Sequence, residues 1–370
     1  MNEGIPVDVI YLDFKKAFDS VPHQRLLLKL QAYGVSGQVF AWIKSFLKDR
    51  SQRVLINGVK SSWVKVESGI PQGSVLGPLL FLIYVNDIPA SLQSKCLFFA
   101  DDCKIFSPIL NQDSVDRLQN DLDTLQLWSS IWQLPFNVSK CMVLHLGRLN
   151  PNSTYYINST ALQNTSEVKD LGVIIDNHLK FHGHVSSIVS KANQLLALIR
   201  KSFIYSDLHT FSYLYKAIVR PTLEYGNTIW GPFYLLDQYK IEKIQRKATR
   251  LCNGIRHLQY EERLSLLQLP SLFYRRFRGD MITTFNLIHH YLNLDSSLFF
   301  TLSSTATRGH QFKLYKPRST REVRFHMFSN RIINQWNSLP DDIVNARNPT
   351  MFKKLFDTFN YDIMYSTNII

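Results

Sequence analysis

The stretch Cys96-Leu-Phe-Phe-Ala-Asp-Asp-Cys-Lys-Ile-Phe106 sets two adjacent acids between two short apolar runs. Runs of this length read as strands, and the polar break between them reads as the turn of a hairpin. Asp101 and Asp102 therefore stand at a hairpin tip, flanked by strands over 96–99 and 104–106 and expected to be buried on both sides. A second run, VDVIYL over residues 7–12, is rich in β-branched residues and ends at Asp13. It reads as a buried strand with a third acid at its end.

Around this hairpin, strand and helix signals alternate. Pro22 and His23 open a helical stretch over 24–32, with leucines at 26, 27, 28 and 30. A second helix, over about 37–48, turns Val39, Phe40, Ile43 and Phe46 toward a core. Asn57-Gly58 stands between runs 53–56 and 63–66; both residues tolerate positive φ, which makes the pair a strong hairpin signal. Residues 76–84 predict a buried helix. Residues 116–132 predict an amphipathic one on Leu118, Leu122, Leu125 and Trp128. Further strands are expected over 142–146 and 173–175. Strands with two helical returns define an α+β domain.

From about residue 185 the pattern turns helical, over 185–203, 208–221 and 237–252. Residues 296–320, rich in Ser, Thr and basic side chains, read as a loop. An apolar helical segment over 328–356 follows. The charge changes at the same place. Residues 1–180 hold 17 Lys and Arg against 16 Asp and Glu, a net +1; residues 181–370 hold 25 against 13, a net +12. A basic module joined to a near-neutral one points to a polyanionic partner, with a solubilising surface as the other reading.

Composition excludes several classes. With 370 residues, 45% of them hydrophobic and 13% aromatic, the chain is long enough to bury a core and is not of disordered composition. The longest apolar stretch, 76–85, is about half of what a membrane helix requires, so no membrane partner is expected. MNEGIPVDV lacks the marks of a secretory signal. Cys96, Cys103, Cys141 and Cys252 form no C-x-x-C pair, which argues against a zinc site or a disulfide framework and for reduced cysteines in an intracellular protein.

Like charges gathered at strand ends repel unless a cation neutralises them. Hard carboxylate oxygens suit Mg²⁺, and two such ions about 3.5–4 Å apart clamp the attacking and leaving oxygens of a nucleotidyl transfer. By pattern alone, acids that cap turns at strand ends remain the readier explanation. The run Gly69-Ile-Pro-Gln-Gly-Ser74 links a strand to a helix, where glycines permit close backbone approach and a helix N-terminus favours phosphate. Taken alone, it is also an ordinary connection.

Taken in order, the motifs Asp13-Phe-Lys-Lys-Ala-Phe-Asp19, Gly69-Ile-Pro-Gln-Gly-Ser74, Phe99-Ala-Asp-Asp102, Asn137-Val-Ser-Lys-Cys141 and Leu171-Gly-Val173 resemble the reverse transcriptases of non-LTR retrotransposons, in particular jockey-like LINE elements. The resemblance covers about residues 5–260, with a softer match at Trp336-Asn-Ser-Leu-Pro340 and Phe352. It implies an RNA-directed DNA polymerase with a right-hand palm and partial fingers over 1–180. A helical basic thumb over 181–260 and a helical C-terminal region over 261–370 follow.

The resemblance also implies roles. Asp13 and Asp101 would hold two Mg²⁺ ions, with Mn²⁺ as a substitute, Asp102 as the third acid and the Phe14 carbonyl as a further ligand. Phe18 matches the gate that excludes a ribose 2′-OH. Gln72 and Gly73 would line the nucleotide pocket. Lys140 would protonate the leaving pyrophosphate, and Leu171 and Gly172 would form the primer grip. Lys243, Arg246, Lys247 and Arg250 would hold phosphates of the template–primer duplex. Asp19 reads instead as an N-cap for the helix that follows. The implied partners are an RNA template, a DNA primer and deoxynucleoside triphosphates, at the nucleus by analogy; the oligomeric state is open.

The upstream fingers, the N-terminal endonuclease and the Cys/His knuckle of such elements have no counterpart in these residues, so the reading expects a truncated enzyme. The alternative it carries is a non-catalytic nucleic-acid-binding remnant. An interaction protein using the C-terminal segment comes third.

Overall fold

The alternation of β-branched residues in Val7–Leu12 builds the middle strand of a five-stranded sheet. The computed structural model describes residues 4–203, 207–304 and 309–366. The sheet runs in the order Gln163–Thr165, Met142–Leu146, Val7–Leu12, Asp102–Pro108, Lys95–Phe99. Its first pairing is parallel and the others are antiparallel. Asp8, Ile10 and Leu12 share one face with Cys103, Ile105 and Ser107, and that face is buried. Helix Gln112–Trp132 contributes Leu118, Leu122, Leu125 and Trp128 to the same core. Asn111 caps this helix by accepting from the Ser114 N–H, so it begins four residues earlier than its apolar pattern indicated.

The chain divides into two compact units between Val168 and Lys169. In the first, helices His23–Ala32, Gly37–Leu47 and Leu76–Val85 form where expected. Of the residues expected inward on the second helix, Ile43 is buried, Phe40 and Phe46 are half-buried, and Val39 is exposed. The stripe facing the core is narrower than the apolar pattern, because the helix packs on one side only. Asn57 and Gly58 both take positive φ and join Leu55–Ile56 to Val59–Lys60. The expected partner run 63–66 pairs further out, where Ser51–Gln52 meets Val64–Lys65. A two-residue turn forces its immediate flanks to pair, and this shortens the inner ladder.

Two buried polar networks hold the first unit. Asp8, fully buried on the middle strand, accepts from Asn150 Nδ2 and Tyr155 Oη and contacts His145 Nδ1, each at 2.7 Å. Lys29 donates to the Tyr84 carbonyl and to Asp87 at 2.5 Å, with the rings of Tyr84, Trp128 and Trp132 within 4.9 Å of its ammonium. A buried charge needs such partners.

The second unit is helical. His182–Ser202, Leu235–Thr249 and Tyr260–Leu266 pack around Trp230, Tyr215, Ile241 and Leu264. The helix expected over 208–221 is instead Leu208–Leu214, a wider π turn over Tyr215–Val219, and Arg220–Glu224. Pro221 lacks an N–H and cannot continue a regular ladder, and the π turn absorbs the mismatch. Leu272–Ile288 lends Leu272 to this core and Tyr274, Met281 and Phe285 to a second, which also holds Trp336, Phe352 and Phe356. The Trp336-Asn-Ser-Leu-Pro340 motif is a fastening within that core. Trp336 Nε1 donates to the Phe312 carbonyl, and Asn337 exchanges two hydrogen bonds of 2.8 Å with the Leu314 backbone.

Candidate active site

The ladder of Val7–Leu12 on Asp102–Pro108 ends with Leu12 opposite Cys103, so Asp13 follows one member of that last pair and Asp102 precedes the other. Phe99 pairs with Asp102, so Ala100 and Asp101 form the two-residue turn of the hairpin. Ala100 takes φ +54°, a conformation this kind of turn requires and glycine usually supplies. Strand pairing thus carries three acids from distant parts of the sequence to one end of the sheet.

The surroundings of the acids differ from the expected buried strands. Asp101 and Asp102 are exposed, and the Asp13 side chain is 39% exposed. On the neighbouring strand Leu97 and Phe99 are 52% and 65% exposed. The reason is topological: Lys95–Phe99 is the edge strand of the sheet, paired on one side only, and the acids lie in the turn that ends it and at the start of the next strand. Among the described residues, no three His, Cys, Asp or Glu side chains lie close enough together to hold a metal by themselves.

The turn carrying Lys140 is fixed to Asp13. The Asn137 N–H donates to the Asp13 carbonyl at 2.7 Å, and the Lys15 N–H donates to the Pro135 carbonyl at 2.8 Å. The Cys141 thiol lies 3.5 Å from the Asp13 N–H, and burial pushes that thiol up to about 11. Lys140 follows this backbone, and its Nζ stands 3.7 Å from Asp13 Oδ2. Phe14 stacks on Phe136 with ring centroids 4.7 Å apart.

The donor set is one of hard oxygens: three carboxylates and a carbonyl. Mg²⁺ is bound by one or two carboxylates together with substrate phosphates rather than by an all-protein cage, so these residues fit it in kind.

Phe18 is half-buried and stacks on the fully buried Phe81 at 4.7 Å. The Gly69–Ser74 run lies against the backbone after Phe18. The Ile70 N–H donates to the Phe18 carbonyl at 2.7 Å, and the Gly69 N–H to the Val21 carbonyl at 2.8 Å. His23 Nε2 lies 2.7 Å from the Gly69 carbonyl. Gln72 and Gly73 are exposed, Gly73 at φ +78°. Ser74 Oγ accepts from the Gly77 N–H at 3.0 Å and so caps the following helix. Asp19 is not an N-cap. It lies inside the turn Ala17–Ser20, Pro22 precedes the next helix, and the Asp19 carboxylate accepts from Gln72 instead. Neither His23 nor Asp19 carries a local sequence signal for this contact. Only the positive φ of Gly69, against Asp19, marks the place where the two segments touch.

The remaining candidates lie in the second unit. Leu171 and Gly172 take positive φ in a turn after Glu167–Asp170, and Tyr225 Oη donates to the Leu171 carbonyl at 2.9 Å. A side chain at Gly172 would meet the Tyr225 ring at 3.2 Å. On Leu235–Thr249 and its cap, Lys243, Lys247 and Arg250 are exposed along one side. Arg246 is half-buried, its guanidinium 4.6 Å from the Tyr260 ring.

The reverse transcriptase (RNA-dependent DNA polymerase) family model matches residues 8–175, the span that holds the central sheet, the three acids and the Lys140 turn, so these residues form a reverse transcriptase domain. The RNA-directed DNA polymerase from mobile element jockey of Drosophila funebris is 33% identical over 261 residues, covering 66% of this chain and 28% of that protein. The probable RNA-directed DNA polymerase from transposon X-element of Drosophila melanogaster is 33% identical over 260 residues, with the same coverage. The chain spans 28% of the length of these relatives. Among solved structures, a telomerase from Candida albicans in complex with a telomeric RNA fragment has a TM-score of 0.39 at 14% identity, covering 71% of this chain and 49% of that one.

Proposed function

We propose that this chain adds deoxynucleotides to a primer 3′-OH under the direction of an RNA template, by the two-metal route of its family. The observation that carries the proposal is the ladder that ends with Leu12 opposite Cys103, which brings Asp13 and Asp102 to the same end of two paired strands with Asp101 in the adjoining turn. Asp13, Asp101 and the Phe14 carbonyl would hold the divalent ions, Mg²⁺ or Mn²⁺, with Asp102 beside them. When bound, such ions neutralise charge on the reacting phosphate and activate the attacking hydroxyl.

The protein's own groups supply the rest. Lys140, beside Asp13, gives a proton to the leaving pyrophosphate. Phe18 closes the space a 2′-OH would need. Gln72 and Gly73 line the nucleotide pocket, and the Leu171-Gly172 turn, braced by Tyr225, supports the primer. Lys243, Lys247 and Arg250 hold duplex phosphates without reading sequence. In this reading the first unit is the palm with part of the fingers, and the helical bundle after it is the thumb.

Primer extension on an RNA template with Mg²⁺ and deoxynucleotides, beside the Asp101→Asn variant, tests the proposal. Extension by the wild type that disappears in the variant, with template–primer binding kept, is the expected result. Equal extension by both removes the metal assignment, and no extension by either removes the activity.

A further inference from the structure

We infer that Asp19 is a positioning residue that fixes which way the Gln72 side-chain amide faces; the inference rests on the placement of Gln72 in the nucleotide pocket. Gln72 Nε2 donates to Asp19 Oδ1 at 3.0 Å. An ionised carboxylate only accepts, so the amide must turn its NH₂ toward Asp19 and its carbonyl oxygen away. A glutamine without such a neighbour interchanges donor and acceptor by a simple flip of its amide. Held by Asp19, it presents a fixed acceptor to whatever occupies the pocket.

The backbone makes the contact a built one. Gly69 sits at φ +93°, and a Cβ there would fall 2.8 Å from the Asp19 carbonyl oxygen and 2.9 Å from its Cα, so only glycine permits the approach. Ser68 Oγ donates to the same Asp19 carbonyl at 3.0 Å. Together with the bonds from Ile70 to Phe18, from Gly69 to Val21 and between His23 and Gly69, this holds segment 68–70 against segment 18–23. The Asp19 backbone is thereby set at a fixed distance from Gln72. Both side chains are exposed, so the pair is no part of the core. Its effect falls on the ligand, through the stronger, charge-assisted type of hydrogen bond.

The test combines kinetics with a direct view of the amide. Asp19→Ala is expected to raise KM for the deoxynucleotide about tenfold and to leave kcat within about twofold, as removal of a charge-assisted bond acting on binding does. Gln72→Ala should act alike, and the double variant should be no worse than Gln72→Ala alone. Asp19→Asn keeps the packing, but its amide donates as readily as it accepts and no longer fixes the Gln72 amide, so it should recover only part of the loss. In protein labelled with ¹⁵N at glutamine, the Gln72 side-chain signal, identified by its loss in Gln72→Ala, should move in Asp19→Ala.

An unmoved signal, an unchanged KM in Asp19→Ala, or losses that multiply in the double variant each overturn the inference. If Gln72→Ala leaves KM unchanged while Asp101→Asn still abolishes extension, the pocket assignment of Gln72 fails and the role of Asp19 falls with it. An amide signal that still moves in Asp19→Ala then shows that the contact itself was correct.

Discussion

The Lys140 ammonium stands 3.7 Å from Asp13 Oδ2, with the two side chains 66% and 39% exposed. At that length and exposure the pair adds little to stability, of the order of 0–1 kcal/mol. Its consequence is chemical: it places a proton donor beside the acid that would hold a metal. Lys140→Ala should therefore melt within a few degrees of the wild type while its extension rate falls by about 10²–10⁴, the range of a lost general acid. A calorimetric scan and single-turnover extension measure the two sides. An unchanged rate would return Lys140 to the surface.

Phe18 carries two loads that one substitution separates. It stacks on Phe81 against the core of the first unit, and the proposed function gives it the 2′-OH of an incoming ribonucleotide to exclude. Phe18→Ala should destabilise by about 1–3 kcal/mol, less than a fully buried Phe→Ala change because the ring is only half-buried. It should also reduce discrimination between deoxy- and ribonucleotides by at least about tenfold. Competition between the two nucleotide types during extension measures this. Lost stability with intact discrimination would make Phe18 a core residue alone.

Most of the frame of the site is legible in the chain. Val7–Leu12 announces itself by β-branched residues and the acid hairpin by its apolar flanks, because both depend on neighbours in sequence. What a strand pairs with is less local. The edge position of Lys95–Phe99, which leaves Asp101 and Asp102 in solvent, follows from the strand order and not from the composition of that strand. The Asp8 cluster is the extreme case: His145, Asn150 and Tyr155 meet a carboxylate more than 130 residues earlier, and nothing near Asp8 foretells it. Likewise Asp19 carries the composition of a helix cap, but its partner Gln72 comes from a segment that reaches it through the fold.

The four basic candidates on the second unit are not equivalent. Lys243, Lys247 and Arg250 are exposed on one side of their helix, whereas the Arg246 guanidinium lies on the Tyr260 ring. Replacing the three exposed residues by alanine should weaken duplex binding alike for every sequence. It should also reduce the slope of log affinity against log salt by roughly two to three, at somewhat under one per phosphate contact. Arg246→Ala should leave that slope nearly unchanged and lower the melting temperature. Fluorescence anisotropy with a labelled RNA–DNA duplex across a salt series tests both, and a slope unaffected by the triple change would remove the helix from the nucleic-acid surface.

Two buried histidines give the two units opposite responses to pH. Burial works against a charged His145, but the hydrogen bond and charge of Asp8 outweigh it, so its imidazole is held above the ordinary value. A raised value in the folded state means that the stabilisation is fully present below the unfolded value near 6.5 and is lost as pH rises through the folded one. In the second unit, burial alone lowers His184 to about 4, with its Nε2 unpartnered among the described residues and its ring against Trp230. There the unfolded chain binds the proton more readily. Stability is present above about 6.5 and falls by roughly 3 kcal/mol between there and pH 4. Urea midpoints should show His145→Gln losing more against wild type at pH 6 than at pH 8.5. His184→Gln should remove part of the acid destabilisation and leave the alkaline side unchanged. If the pH dependence of the midpoint is identical in wild type and His184→Gln, the neutral buried imidazole is not what the second unit loses on acidification.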